Sequence, residues 1–275
     1  MANAPKPTTA KKESSGSSIF ASMSIVMCIL VGVLLWKFVM GDASNFEGGD
    51  PENGHPLPGN YFGMVYKGGY VVPVLMGLFL MVIVFSIERF FVIGKATGKG
   101  DIDLFVKKIQ SFISAGNIDS AISECDKQEG SVANVIKSGL KKYKEMETEG
   151  KMDTEQKCLA IQKDIEEATA LEMPMLEQNL TVIATLVSIG TLMGLLGTVT
   201  GMIKAFAALS TAGSPDQAAL ANGISEALIN TATGIATSTV AIIMYNLFTS
   251  KIDKLTYAID EAGFSIVQTY ASTHK

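Results

Sequence analysis

The sequence predicts an all-α fold, a polytopic helical membrane protein with long helices extending into the cytoplasm. Three observations carry that expectation. Residues 180–203 and 227–250 contain no Asp, Glu, Lys or Arg, and each run is longer than the roughly 20 apolar residues that cross a bilayer. Two further uncharged runs, 19–36 and 70–87, lie nearer the start of the chain. Between the second and third runs, residues 101–178 are rich in charge yet keep apolar residues at helical spacing, the pattern of folded helix outside the lipid. The 48% of hydrophobic residues in this 275-residue chain is therefore gathered into blocks, not spread evenly as a single globular core would need.

Residues 1–18 are polar, with Pro5, Pro7, Lys6, Lys11 and Lys12, and are expected to be disordered. Residues 19–40 form an extra transmembrane anchor ending at Trp36 and Lys37, an aromatic ring and a snorkelling cation suited to the interface. A cleaved signal peptide is the competing reading, since it shares the basic start and apolar run. This run is longer than a usual signal core, however, and no clear small-x-small cleavage site follows it. Residues 41–69 carry Asp42, Glu47, Asp50 and Glu52 against Lys67, with Gly and Pro throughout, and read as an irregular acidic periplasmic loop. Residues 70–94 are the next transmembrane helix, whose uncharged span 70–87 ends at Glu88 and Arg89, followed by Lys95 and Lys99. The cations at this end place it in the cytoplasm, together with the N-terminus.

Residues 95–179 read as a cytoplasmic helical region. Leu104, Ile109, Phe112 and Ile113 mark one amphipathic helix, Gly116 and Asn117 break it, and residues 118–127, 132–147 and 153–177 continue in helical period. Asp164, Glu166, Glu167, Glu172 and Glu177 form a solvated face. Pro174 would kink the last of these helices, yet no turn cluster separates it from the apolar run that follows. The helix is therefore expected to pass directly into the membrane, and residues 153–209 at about 1.5 Å each would span about 85 Å. Residues 180–209 and 219–250 are the last two membrane helices, joined by a periplasmic turn at 210–218. A cytoplasmic tail, 251–275, begins at Lys251 and Lys254. Four spans leave both termini on the cytoplasmic side.

The last two spans carry seams of small residues. Gly190, Gly194, Gly197 and Gly201 recur at steps of four, three and four, as do Ala227, Thr231, Gly234, Ser238 and Ala241 with a further step of three. That spacing puts each set on one stripe, where a neighbouring backbone can come close. Hydroxyls cluster beside the seams: Ser188, Thr191 and Thr198 on one helix, Thr231 and Ser238 on the other, with Asn230, Thr233 and Thr237 nearby. Any one of them can bond back to its own helix, whereas the set is also what a polar path would require.

Enzyme constellations are missing. His55 and His274 are the two histidines, far apart in the chain, and Cys28, Cys125 and Cys158 have no metal or redox spacing. No metal site, cofactor or nucleic-acid partner is indicated, and the net charge of −5 is modest. Near the membrane only Lys204 and Glu226 are ionisable. Lys204 can snorkel outward. Glu226 is either a proton acceptor whose burial raises its pKa or the partner of Lys204 in an ion pair. The middle of these spans offers hydroxyls and no carboxylate, so a proton carrier there would have to come from another protein.

The segment Gly194-Leu-Leu-Gly-Thr-Val-Thr-Gly-Met-Ile203, with Gly223-Ile-Ser-Glu-Ala-Leu-Ile-Asn-Thr-Ala-Thr-Gly234 and Tyr245-Asn246, resembles the signature of the ExbB/TolQ/MotA proton-channel family, with ExbB the nearest branch. The resemblance covers about residues 70–260. It implies a homopentamer in the bacterial inner membrane around a central lumen. That lumen would hold the membrane helix of an ExbD-like single-span partner, whose aspartate carries the proton, and the complex would drive a TonB-like protein. On this resemblance Thr198 and Thr231 line the lumen, with Thr191 and Ser238 beside them, and Glu226 is the family's membrane glutamate. The chain departs from the family at Thr191 and Val240, where prolines are usual, and in its extra first span. A TolQ-like or motility-motor stator is the alternative within the family, and a non-conducting membrane scaffold the alternative outside it.

Overall fold

The computed structural model describes residues 14–52, 54–210 and 217–274. They form α1 (Ser14–Leu34), α2 (Tyr61–Tyr66), α3 (Val72–Thr97), α4 (Ile102–Ser114), α5 (Ile118–Gln128), α6 (Gly130–Thr148), α7 (Thr154–Glu177), α8 (Leu180–Ser210) and α9 (Gln217–Thr273). The chain is all-α: β-structure among the described residues amounts to one isolated bridge between Phe46 and Pro56. Among the described residues four helical stretches are long and apolar enough to cross a membrane. By contacts the chain divides into two compact units. One holds the residues up to Val84 with Thr185–Ala241, the other Phe85–Ala184 with Ile242–Lys275.

In the first unit α1 and its wide-turned continuation Leu35–Met40 pack on the start of α3 through glycine. A methyl group at Gly32 would lie 2.7 Å from the Gly77 nitrogen and the Pro73 oxygen, so the two backbones touch. Residues 41–69, expected to be irregular, contain α2 and short 3₁₀ turns and are ordered around Asn45. Its Nδ2 donates to the Val39 and Met40 carbonyls at 2.9 and 3.0 Å, and its Oδ1 accepts from Asn60 at 2.9 Å. Trp36 stacks on Tyr66 at 4.7 Å, and Phe46 meets the edge of the same ring at 5.5 Å. The expected disorder of residues 1–18 falls largely outside the described residues, yet α1 already begins at Ser14. Most of the expected turn at 210–218 also lies outside them.

The second unit is a helical bundle whose helix starts follow capping chemistry. Asp101 accepts from Leu104 N at 3.0 Å, Asn117 from Ser120 N at 3.1 Å, and Asp153 from Gln156 N at 2.7 Å in a reciprocal capping box. Ile102, Phe105, Val106, Ile109 and Ile113 form the buried stripe of α4, while Leu104, expected on that stripe, is exposed. Leu104 stands two positions from both Ile102 and Val106, and a separation of two turns a helical residue away from its neighbours' face. Cys125 is buried in α5, and that burial pushes its thiol up to about 12. It acts as a small apolar core residue, not as a nucleophile.

α3 runs on past Glu88 and Arg89, where its uncharged span ends, to Thr97, and the expected tail from Lys251 is helical to Thr273 as the end of α9. One expectation is corrected: the rod expected over 153–209 is interrupted, since α7 closes at Glu177, and Gln178 and Asn179 intervene before α8, Asn179 with φ of 60°. Asn tolerates this left-handed conformation better than most residues. The freed end is satisfied from outside the helix. Arg89 Nη1 donates to the Met175 and Leu176 carbonyls at 3.1 and 3.0 Å, and its Nε donates to Glu88 Oε2 at 2.6 Å.

Candidate functional site

The site grows from the contact of α8 with α9. Gly190, Gly194, Gly197 and Gly201 are all buried, as is Gly234. A methyl at Gly194 would stand 3.1 Å from Gly234 Cα and from the Asn230 oxygen. One at Gly201 would stand 2.8 Å from Ala227 N and Gly223 O, and one at Gly190 2.7 Å from Ser238 Oγ. The two seams read from sequence therefore meet each other, and main chain lies against main chain.

That close approach brings hydroxyls together in pairs. Thr198 Oγ1 hydrogen-bonds Thr231 Oγ1 across the two helices, and Thr191 Oγ1 donates to Ser238 Oγ at 2.9 Å. Each threonine also faces a carbonyl of its own helix: Thr198 that of Gly194 at 3.2 Å, Thr231 that of Ala227 at 3.0 Å, and Thr191 that of Val187 at 3.3 Å. A hydroxyl has one proton to donate. In the Thr198–Thr231 pair one proton can point to its helix while the other spans the gap, and the two roles can exchange by rotation. Bonding to the helix and bonding across the seam are thus both present. Thr198 and Thr231 are half-buried, Thr191 is exposed and Ser238 buried.

Glu226 stands apart from this row. It precedes Thr231 by five residues, roughly 140° around the helix, and faces Lys204 and the loop before α3. Lys204 Nζ lies 2.6 Å from Glu226 Oε1, with the Glu226 side chain 10% exposed. Gly69, at φ of 76°, approaches so closely that a methyl there would collide with the Glu226 carboxylate. The expected ion pair of Glu226 with Lys204 is thus present.

Two polar residues make contacts beyond the roles the sequence gives them. Asn230 is fully buried and its Nδ2 donates to the Gly68 carbonyl at 2.9 Å. Arg89 is 1% exposed. A polar amide inside an uncharged run was the visible signal for the first. Nothing local marks the second, because its partners lie in another helix. No cluster of three His, Cys, Asp or Glu side chains suited to a metal occurs among the described residues.

Long apolar helices that meet through glycine and align hydroxyls across the contact define a multi-span membrane protein with a polar track between two of its spans. Comparison with known proteins narrows this class. The MotA/TolQ/ExbB proton channel family matches residues 127–261, and relatives named TolQ and ExbB-like agree with that match. It is 27% identical over 157 residues to the Tol-Pal system protein TolQ of Pseudomonas aeruginosa, covering 57% of this chain and 68% of that one. Similarity to the putative biopolymer transport protein ExbB-like 3 of Synechocystis sp. is 30% over 112 residues, 40% of this chain and 53% of that one. For the biopolymer transport protein ExbB of Pseudomonas putida it is 31% over 86 residues, 31% of this chain and 26% of that one.

Proposed function

We propose that the chain is an ExbB-like proton-channel subunit of a bacterial inner membrane. It works as a homopentamer around an ExbD-like single-span partner and passes the energy of the proton gradient to a TonB-like protein for outer-membrane transport. The observation that carries this reading is the Thr198–Thr231 pair, half-buried where α8 meets α9. Its hydroxyls can relay a proton but neither ionise nor store an extra one near neutral pH, so an acid must be supplied from outside the chain. Thr191 and Ser238 extend the row, and the glycine seam keeps it aligned. Both termini and the bundle of α4 to α7 lie on the cytoplasmic side. The acidic segment 41–69 lies outside, and 19–40 crosses the bilayer as an additional anchor. A charge crossing 100 mV releases about 2.3 kcal/mol.

A Tol-Pal-type role is the second reading, favoured by the longer match to TolQ than to Pseudomonas putida ExbB. Loss of nutrient uptake on deletion selects the first role, and loss of envelope integrity the second.

Thr198→Val and Thr231→Val test the relay in membrane vesicles that contain the native complex. Each is expected to leave assembly intact and to lower proton flux about tenfold, below the roughly 10²–10⁴ of true acid–base groups because a hydroxyl only relays. Wild-type flux in both variants would remove these hydroxyls from the proton path, and absence of flux in the wild-type complex would support a non-conducting scaffold.

A further inference from the structure

Asn230 has no exposure to solvent, and its side chain engages two neighbouring segments. Its Nδ2 donates to the Gly68 carbonyl at 2.9 Å, just before the chain enters α3. On the side of α8, a methyl at Gly197 would overlap the Asn230 Cβ, Cγ and Nδ2. Gly197 precedes Thr198 and Asn230 precedes Thr231, so this amide occupies the layer directly behind the hydroxyl pair. Its Oδ1 has no hydrogen-bond partner among the described residues. An apolar side chain of equal size would fill the same space without burying an unpaired oxygen. Packing therefore does not account for an amide here. What the amide adds is the N–H that holds Gly68.

We infer that Asn230 is a positioning residue for the relay. By tying Gly68 to α9 and filling the space left by Gly197, it sets the separation of the two helices where Thr198 and Thr231 meet. The same bond links the ordered outer segment 41–69 to the relay. This inference rests on the proton-channel reading above.

The test compares proton flux for wild type, Asn230→Ala, Asn230→Asp and Thr231→Val in vesicles from the native membrane, at equal complex abundance by immunoblot. Asn230→Ala is expected to lose about tenfold or more, the scale on which small misplacements of reacting groups act. Asn230→Asp supplies a readout that a purely structural role would not move. The neutral acid has the shape of the amide and can donate its O–H to the Gly68 carbonyl, whereas the carboxylate cannot donate. Its flux relative to wild type should therefore approach one at acid pH and fall to the Asn230→Ala level at alkaline pH. Other ionisable groups near residue 230 are Glu226 on α9, Lys204 on α8, and Lys67 and Tyr70 flanking the Gly68 turn. All are shared with wild type and cancel in the ratio.

Wild-type flux in Asn230→Ala, or a ratio for Asn230→Asp that does not change with pH, would overturn the inference. Thr231→Val separates the two levels of the argument. If it conducts normally, the relay itself is wrong. If it is impaired while Asn230→Ala is not, only the role of Asn230 is lost.

Discussion

Arg89 shows at the scale of a residue how much of this molecule depends on one guanidinium. Its fork spans two carbonyls and a carboxylate, at 3.0 to 3.1 Å and 2.6 Å, in a site where its own side chain is 2% exposed. A lysine offers a point charge and cannot match that geometry. Arg89→Ala is expected to destabilise the fold by about 3–5 kcal/mol, the usual cost of leaving a buried charge without its partner, read as a lower thermal unfolding midpoint in detergent. The sequence makes the Thr198 and Thr231 site legible through a local rule, the small-residue spacing that lines hydroxyls along a seam. Arg89 looks instead like an ordinary helix-end cation, because its partners sit 86 and 87 positions away and no local pattern encodes them. Glu226 is an intermediate case: its ion pair with Lys204 is readable from the 22-residue separation across a hairpin, while its contact with Gly69 is not.

Among the elements, helix starts are far more legible than helix ends. Asp101, Asn117 and Asp153 announce three helices by capping side chains. The close of α7 has no such sign, since Gln178 and Asn179 are compatible with helix and no Gly intervenes. What ends it is the left-handed backbone of Asn179, secured by Arg89. The Asn179 Nδ2 is buried without a partner among the described residues, so its N–H groups contribute nothing and the position draws on the residue's backbone tolerance. Asn179→Gly should accordingly be neutral or slightly stabilising, whereas Asn179→Val should lose about 1–2 kcal/mol, the penalty for an L side chain in that conformation. Thermal unfolding of the two variants side by side checks this. Equal losses in both would mean that the side chain matters after all. The short elements of 41–69 were illegible for another reason: Asn45 organises them through carbonyls that become available only once the preceding helix has ended.

For the whole molecule, the alternation of apolar blocks with charged helical stretches made the all-α membrane architecture readable before any coordinates. Leu192, Leu195, Val199, Ile203 and Phe206 on α8, and Leu228 and Ile235 on α9, are exposed in the isolated chain, a surface that lipid tails or neighbouring helices cover equally well. The proposed function therefore needs its own test of assembly: under it, native mass spectrometry of the gently purified protein is expected to give five copies with a bound single-span protein bearing one membrane aspartate, and a monomer under conditions that preserve known complexes would contradict it. The aromatic cluster around Tyr66 has a practical consequence. Trp36 is the single tryptophan in the chain, and it lies stacked on Tyr66 with its indole N–H donating to the Tyr66 carbonyl at 3.3 Å. The intrinsic fluorescence of the protein, excited at the indole band, therefore originates at one known place. Its wavelength and lifetime report opening or wetting of that segment in real time, with no dye attached.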